Sequence, residues 1–229
     1  MRACFKTWIL LLGIGCWLAS RVEAGTITGV VTGQGADSSA EPQGRGKYES
    51  RKFKFVERID YSKLKDFVVY IEKIPSASSD APTKSASIVI QKDAIFSPHV
   101  LPIVAGTTAE WPNDDTIFHN VFSFSEATQF DLGLYKNEVK KVLFDKAGRV
   151  DIFCSIHKDM HCIILVLENP YFAVTNAKGV YTIPDVPPGT YALKAWHERL
   201  PSQTKIITVP ETEPVKVDFT LSVKSLPKY

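Results

Sequence analysis

Methionine is nearly absent from this 229-residue chain, with Met160 standing alone after Met1. Cysteine is almost as scarce: of four residues, Cys4 and Cys16 fall close to the start, leaving Cys154 and Cys162 for the rest of the chain. No apolar run reaches the ~20 residues of a membrane-spanning helix; the longest, Trp8 to Ala19, is too short. No helical apolar period is sustained, which excludes a helical bundle. The chain also lacks a catalytic constellation. No motif pairs a nucleophile with a base or one carboxylate with another, so nothing in the sequence points to an enzyme.

The start of the chain has an export pattern. Arg2 and Lys6 precede the apolar run, and Val22 and Ala24 supply the small residues of a secretory cleavage site after Ala24. A lipoprotein reading through Cys16 is weak, because Gly13 and Trp17 do not suit it. With Arg2, Lys6, Arg21 and Glu23 removed, the 27 basic and 25 acidic residues fall to 24 of each, and net charge falls to zero. A neutral chain carries no nucleic-acid footprint. Any electrostatic docking falls to local patches, of which Arg45 to Arg58, six basic residues against two acidic, is the candidate.

What is present is β-forming. Short Val, Ile, Phe and Tyr runs alternate with 14 prolines and 13 glycines. Thr26 to Val31 and Phe67 to Glu72 read as strands, Gly33 to Asp66 as a polar stretch, and Ser76 to Ser85 as a linker. Asn176 to Gly179 reads as a hairpin turn, and Pro187-Pro188-Gly189 as a turn feeding an alternating strand. Ile163 to Val166 is apolar at every position, the pattern of a strand covered on both faces.

The chemistry concentrates in Cys154-Ser155-Ile156-His157-Lys158-Asp159-Met160. Thiol, imidazole and thioether at this spacing, joined by a second imidazole, are the ligand set of a trigonal His₂Cys copper site with a long axial Met. His119, in an apolar run after the turn-rich Pro112 to Asp115, is the candidate for the second imidazole. In an oxidising compartment, Cys154 and Cys162 also admit a plain disulfide. His161 reads as exposed rather than ligating. His99 and His197 are left over, His197 beside Glu198 being a weak metal pair.

From about Ser87 to Glu168 the chain resembles the cupredoxins, the small blue-copper proteins, and within them the amicyanin-like, methylamine-utilisation type. The resemblance rests on Phe96-x-Pro98, Gly106, Trp111-x-Asn113, His119-Asn120-Val121, Gly148 and Cys154-x-x-His157-x-x-Met160. It implies a Greek-key sandwich whose last two strands are joined by the ligand loop. It also implies one type 1 copper ion held by His119, Cys154, His157 and Met160, with Asn120 tying the ligand-bearing loops together.

A second resemblance, to the carboxypeptidase regulatory-like, transthyretin-like modules, rests on Gly179-x-Tyr181-x-Ile183 and Pro187-Pro188-Gly189-x-Tyr191. Such modules begin with strands like Gly29-Val30-Val31 and Val68-Val69-Tyr70, which here lie before the copper region. The expected all-β architecture is therefore a discontinuous sandwich, residues 25–75 plus 170–222, with the cupredoxin 86–168 inserted. Two units in series are the simpler alternative, at the cost of exposed edges on the N-terminal segment.

The expected function is that of a periplasmic blue-copper electron carrier. The resemblance implies a redox protein partner, such as a c-type cytochrome or a periplasmic dehydrogenase. A copper chaperone or store, or an envelope module binding glycan or protein, is the alternative. The lack of methionine-rich tracts does not favour a chaperone.

Overall fold

The computed structural model describes residues 24–35, 60–74, 87–211 and 213–223. The export segment, the basic stretch 45–58 and the linker 76–85 lie outside them. Among the described residues no helix is long and apolar enough to cross a membrane.

Two strands come first, β1 (Gly25–Gln34) and β2 (Val68–Ile71), with a short 3-10 turn at Tyr61–Lys63 between them. Ten follow in the middle of the chain: β3 (Ser87–Ile88), β4 (Ile90–Lys92), β5 (Ile95–Ser97), β6 (Val100–Val104), β7 (Thr107–Pro112), β8 (His119–Ser125), β9 (Thr128–Tyr135), β10 (Val139–Phe144), β11 (Gly148–Phe153) and β12 (His161–Leu167). The last six are β13 (Phe172–Val174), β14 (Val180–Val186), β15 (Gly189–His197), β16 (Leu200–Val209), β17 (Val215–Lys216) and β18 (Phe219–Ser222).

The middle strands make a sandwich of a three-stranded sheet, β10-β7-β3, and a five-stranded sheet, β6-β12-β11-β8-β9. Its core gathers Trp111, Phe96, Phe144, Ile152, Ile164 and Met160. The outer strands make a second sandwich. There β1 pairs with β14 on one side and with β17 and β18 on the other. In the facing sheet β2 lies between β13 and β15. The early strands thus sit inside sheets completed by the C-terminal ones. Their apolar faces, Ile27, Val31, Val69 and Ile71, join Tyr181, Leu193 and Phe219 in one core.

Glycine is required where β1 meets the last strands. A Cβ on Gly29 would lie 1.9 Å from the main-chain oxygen of Val217, where the Val217 N–H donates to the Thr28 oxygen at 2.8 Å. No side chain fits that approach.

One detail differs from the sequence reading. Asn176 to Gly179 does form a tight turn, the Gly179 N–H donating to the Asn176 oxygen at 2.9 Å. It is not the turn of a hairpin, however, because β13 pairs with β2 and β14 with β1, so the chain crosses from one sheet to the other. The Asn176 side chain, accepting from the N–H groups of Lys178 and Val180, closes this corner just as it would close a hairpin. β12 is covered on both faces, as its sequence implies. Its fully apolar pattern is explained by two neighbours: Cys162, Ile164 and Val166 face the middle core, while Ile163, Leu165 and Leu167 pack with Val68, Val100 and Phe172 in the seam between the sandwiches.

Candidate metal centre

β11 ends at Phe153 and β12 starts at His161, and the two are antiparallel neighbours with Phe153 opposite His161. The seven residues between must turn back within one strand spacing. Two main-chain bonds fold them: the Cys154 N–H donates to the Met160 oxygen at 3.2 Å, and the Met160 N–H to the His157 oxygen at 3.1 Å. On the other side of β11 lies β8, which starts at His119, so the loop sits over that imidazole.

Three of the four predicted residues bring donor atoms together. His119, Cys154 and His157 each offer one ligand atom within 4.8 Å of the others. The Nδ1 atoms of His119 and His157 stand 3.0 Å apart, and Cys154 Sγ is 3.6 Å from His157 Nδ1. Met160 is 1 % exposed and belongs to the same core cluster as Cys154. His119 and Cys154 are buried as well; of the four, His157 alone is partly exposed.

The tautomer of His119 follows from its other side. Its Nε2 is 2.7 Å from Asp115 Oδ2, and a carboxylate only accepts, so Nε2 carries the hydrogen and Nδ1 carries the lone pair. Burial alone would raise the Asp115 carboxyl. The N–H groups of Ala94 and Asp93 and the His119 ring outweigh it, holding Asp115 below the usual carboxylate range. A carboxylate behind an imidazole fixes the ring and raises its basicity toward a metal. The sequence reading did not select Asp115; its only signal was a carboxylate four positions before His119 in a turn-rich run.

Asn120 bridges the two segments. Its Oδ1 accepts from the Ser155 N–H at 3.1 Å, and its Nδ2 donates to Asp131 at 2.6 Å. Cys154 and Cys162 are both free and buried, so the disulfide alternative is not adopted. His161 is not an exposed bystander as expected. It is only partly exposed, stacks on Phe153 at 4.8 Å, and donates from Nε2 to Asp151 at 3.0 Å. His197 is a buried core residue against Phe67, with Nδ1 accepting from the Arg199 N–H, so it does not join Glu198 in a metal pair.

Two imidazole nitrogens and a thiol converging among largely buried side chains fit a soft or borderline cation, as the donor chemistry of a copper site requires. Amicyanin from Paracoccus versutus is 27% identical over 106 residues, spanning 44% of this chain and 79% of amicyanin. The middle of the chain is amicyanin-like. Residues 165–222 match the carboxypeptidase regulatory-like domain, and the combination with the amicyanin-like, all-β middle is the one its motifs suggested. Among solved structures, a purple cupredoxin from Nitrosopumilus maritimus is 24% identical, covering 35% of this chain and 98% of that one at a TM-score of 0.31. A copper-containing nitrite reductase from Thermus scotoductus is 26% identical, over 42% of this chain and 25% of the reductase, with a TM-score of 0.36.

Proposed function

We propose that this chain is an exported electron carrier that holds one type 1 copper ion on His119, Cys154, His157 and Met160. The observation that carries the proposal is the convergence of the Nδ1 atoms of His119 and His157 with Cys154 Sγ, His157 alone of the four residues being partly exposed. Copper bound there would supply a one-electron couple, since a mixed nitrogen and sulfur donor set suits both of its oxidation states. The chain's own part is to keep that donor set fixed. Asp115 holds His119, Asn120 holds the loop, and the loop's main-chain bonds hold Cys154 against Met160.

His157 is the exit. Next to the ligands in sequence, Ile117, Phe118 and Ile156 are 46%, 54% and 52% exposed, an apolar surround that suits transient docking of a redox protein. A c-type cytochrome or a periplasmic dehydrogenase is the partner class we assign. We further read 86–168 as a unit inserted into a sandwich of 25–75 plus 170–222, which leaves the copper end free for the partner. No enzymatic step is proposed. The test is a redox cycle: the copper-loaded protein takes up one electron per chain, returns it to a cytochrome c, and keeps its metal throughout. A protein that instead surrenders copper to an acceptor is a chaperone or store.

Two substitutions sharpen this reading. Asp115→Ala removes the carboxylate behind His119 and weakens copper retention by about 10–100-fold, measured by chelator competition. Met160→Gln replaces the thioether with a harder amide oxygen, which favours the oxidised ion. Voltammetry then gives a lower reduction potential with colour retained, whereas His161→Ala leaves the spectrum nearly unchanged.

A further inference from the structure

A second group of donors lies in the seam between the sandwiches. His99 stands just before β6, His161 opens β12, and Glu198 occupies the two-residue tip between β15 and β16. One ligand atom from each lies within 4.8 Å of the others. His99 Nδ1 is 3.2 Å from the main-chain oxygen of His161, an atom that only accepts, so Nδ1 carries the hydrogen. His99 Nε2 is then left facing Glu198 Oε1 at 3.1 Å. A lone pair facing a carboxylate needs a cation between them, either a proton or a metal ion.

The other imidazole is prepared in the same way. His161 donates from Nε2 to Asp151, which is itself gripped by Arg149 through bonds of 2.8 and 2.7 Å, so Nδ1 of His161 is its bare nitrogen. Each histidine thus has one nitrogen committed to an oxygen acceptor and one free, the arrangement that orients metal-binding imidazoles. Arg199 Nε, 3.6 Å from the same Glu198 oxygen, is the competing cation.

We propose that His99, His161 and Glu198 form a second metal site, distinct from the copper centre, that takes a divalent ion of the zinc class and clamps the two sandwiches together. Two imidazoles and one carboxylate oxygen without a thiol are a zinc-type set with an open fourth position. Bond lengths of about 2.0–2.2 Å put ligand atoms of a tetrahedral site roughly 3.4 Å apart, close to the 3.1 Å between His99 and Glu198.

The test uses the full-length, copper-loaded protein and Zn²⁺ alone as probe. Zinc retained after gel filtration should reach about one ion per chain without displacing copper. His99→Ala and the milder Glu198→Gln, in the turn between β15 and β16, should each weaken zinc binding at least tenfold with copper content unchanged. Zinc that binds the variants as well as the parent overturns the site, and so does a parent that retains none. Because the comparison is between variants remote from Cys154, it stands even if the protein carries no copper.

Discussion

Replacing Cys154 with serine abolishes the visible absorption of the copper-loaded protein and leaves the chain folded. The colour of a type 1 site is charge transfer from thiolate sulfur to copper, and a serine oxygen cannot supply it. The fold survives because the substitution is nearly isosteric at a position 6% exposed, on the side of the core nearest the loop. Leaving a hydroxyl poorly partnered there costs about 1–3 kcal/mol, against a typical domain stability of about 5–15 kcal/mol. Visible spectra, copper content and far-UV circular dichroism check all three parts. The companion Cys162→Ala keeps its colour. Cys162 is buried in the core, and burial pushes its thiol well above the usual range, so it stays protonated and inert. Colour that persists without Cys154 assigns the sulfur wrongly.

A polypeptide of residues 170–229 does not fold as an isolated monomer. β14 would lose β1, its only partner among the described strands, and β17 and β18 would lose theirs. β13 would lose β2, and β15 would lose its neighbour on one side. Five of the 17 buried residues of that core, Ile27, Val31, Phe67, Val69 and Ile71, come from before residue 75. At about 1.5–3 kcal/mol for each side chain, their absence removes roughly 7–15 kcal/mol of burial. That equals the whole stability of an ordinary domain, about 5–15 kcal/mol. Circular dichroism and a urea titration of the fragment are the check. A cooperative transition in the monomer would mean that the C-terminal strands need no partner from the start of the chain.

Much of this was legible because local chemistry and global placement agree. The spacing Cys154-x-x-His157-x-x-Met160 fits one loop between two strands, and such a loop has only a few ways to turn. Unbroken apolarity from Ile163 to Val166 correctly marks a strand covered on both faces. The rest was hidden by distance or ambiguity. His99 meets His161 across 62 positions and Glu198 across 99, and no spacing rule spans such gaps. His197 offered only a weak pairing with its neighbour Glu198, and the structure ends β15 on it with its ring buried against Phe67 while Glu198 stands in the following turn. Asn176 to Gly179 misled for a different reason: the same turn chemistry serves a hairpin and a crossing between sheets.

The two-sided burial of β12 has an evolutionary consequence. On an ordinary sheet strand, alternate positions face water and drift freely, giving a lineage room to vary. Here the residues from Cys162 to Leu167 each answer to one of two hydrophobic neighbourhoods, so no position on the strand is neutral. Either sandwich can diversify at its loops, but neither can be exchanged for a foreign counterpart without rewriting one face of this strand. A change on one face of this strand has to be matched within the sandwich that face serves.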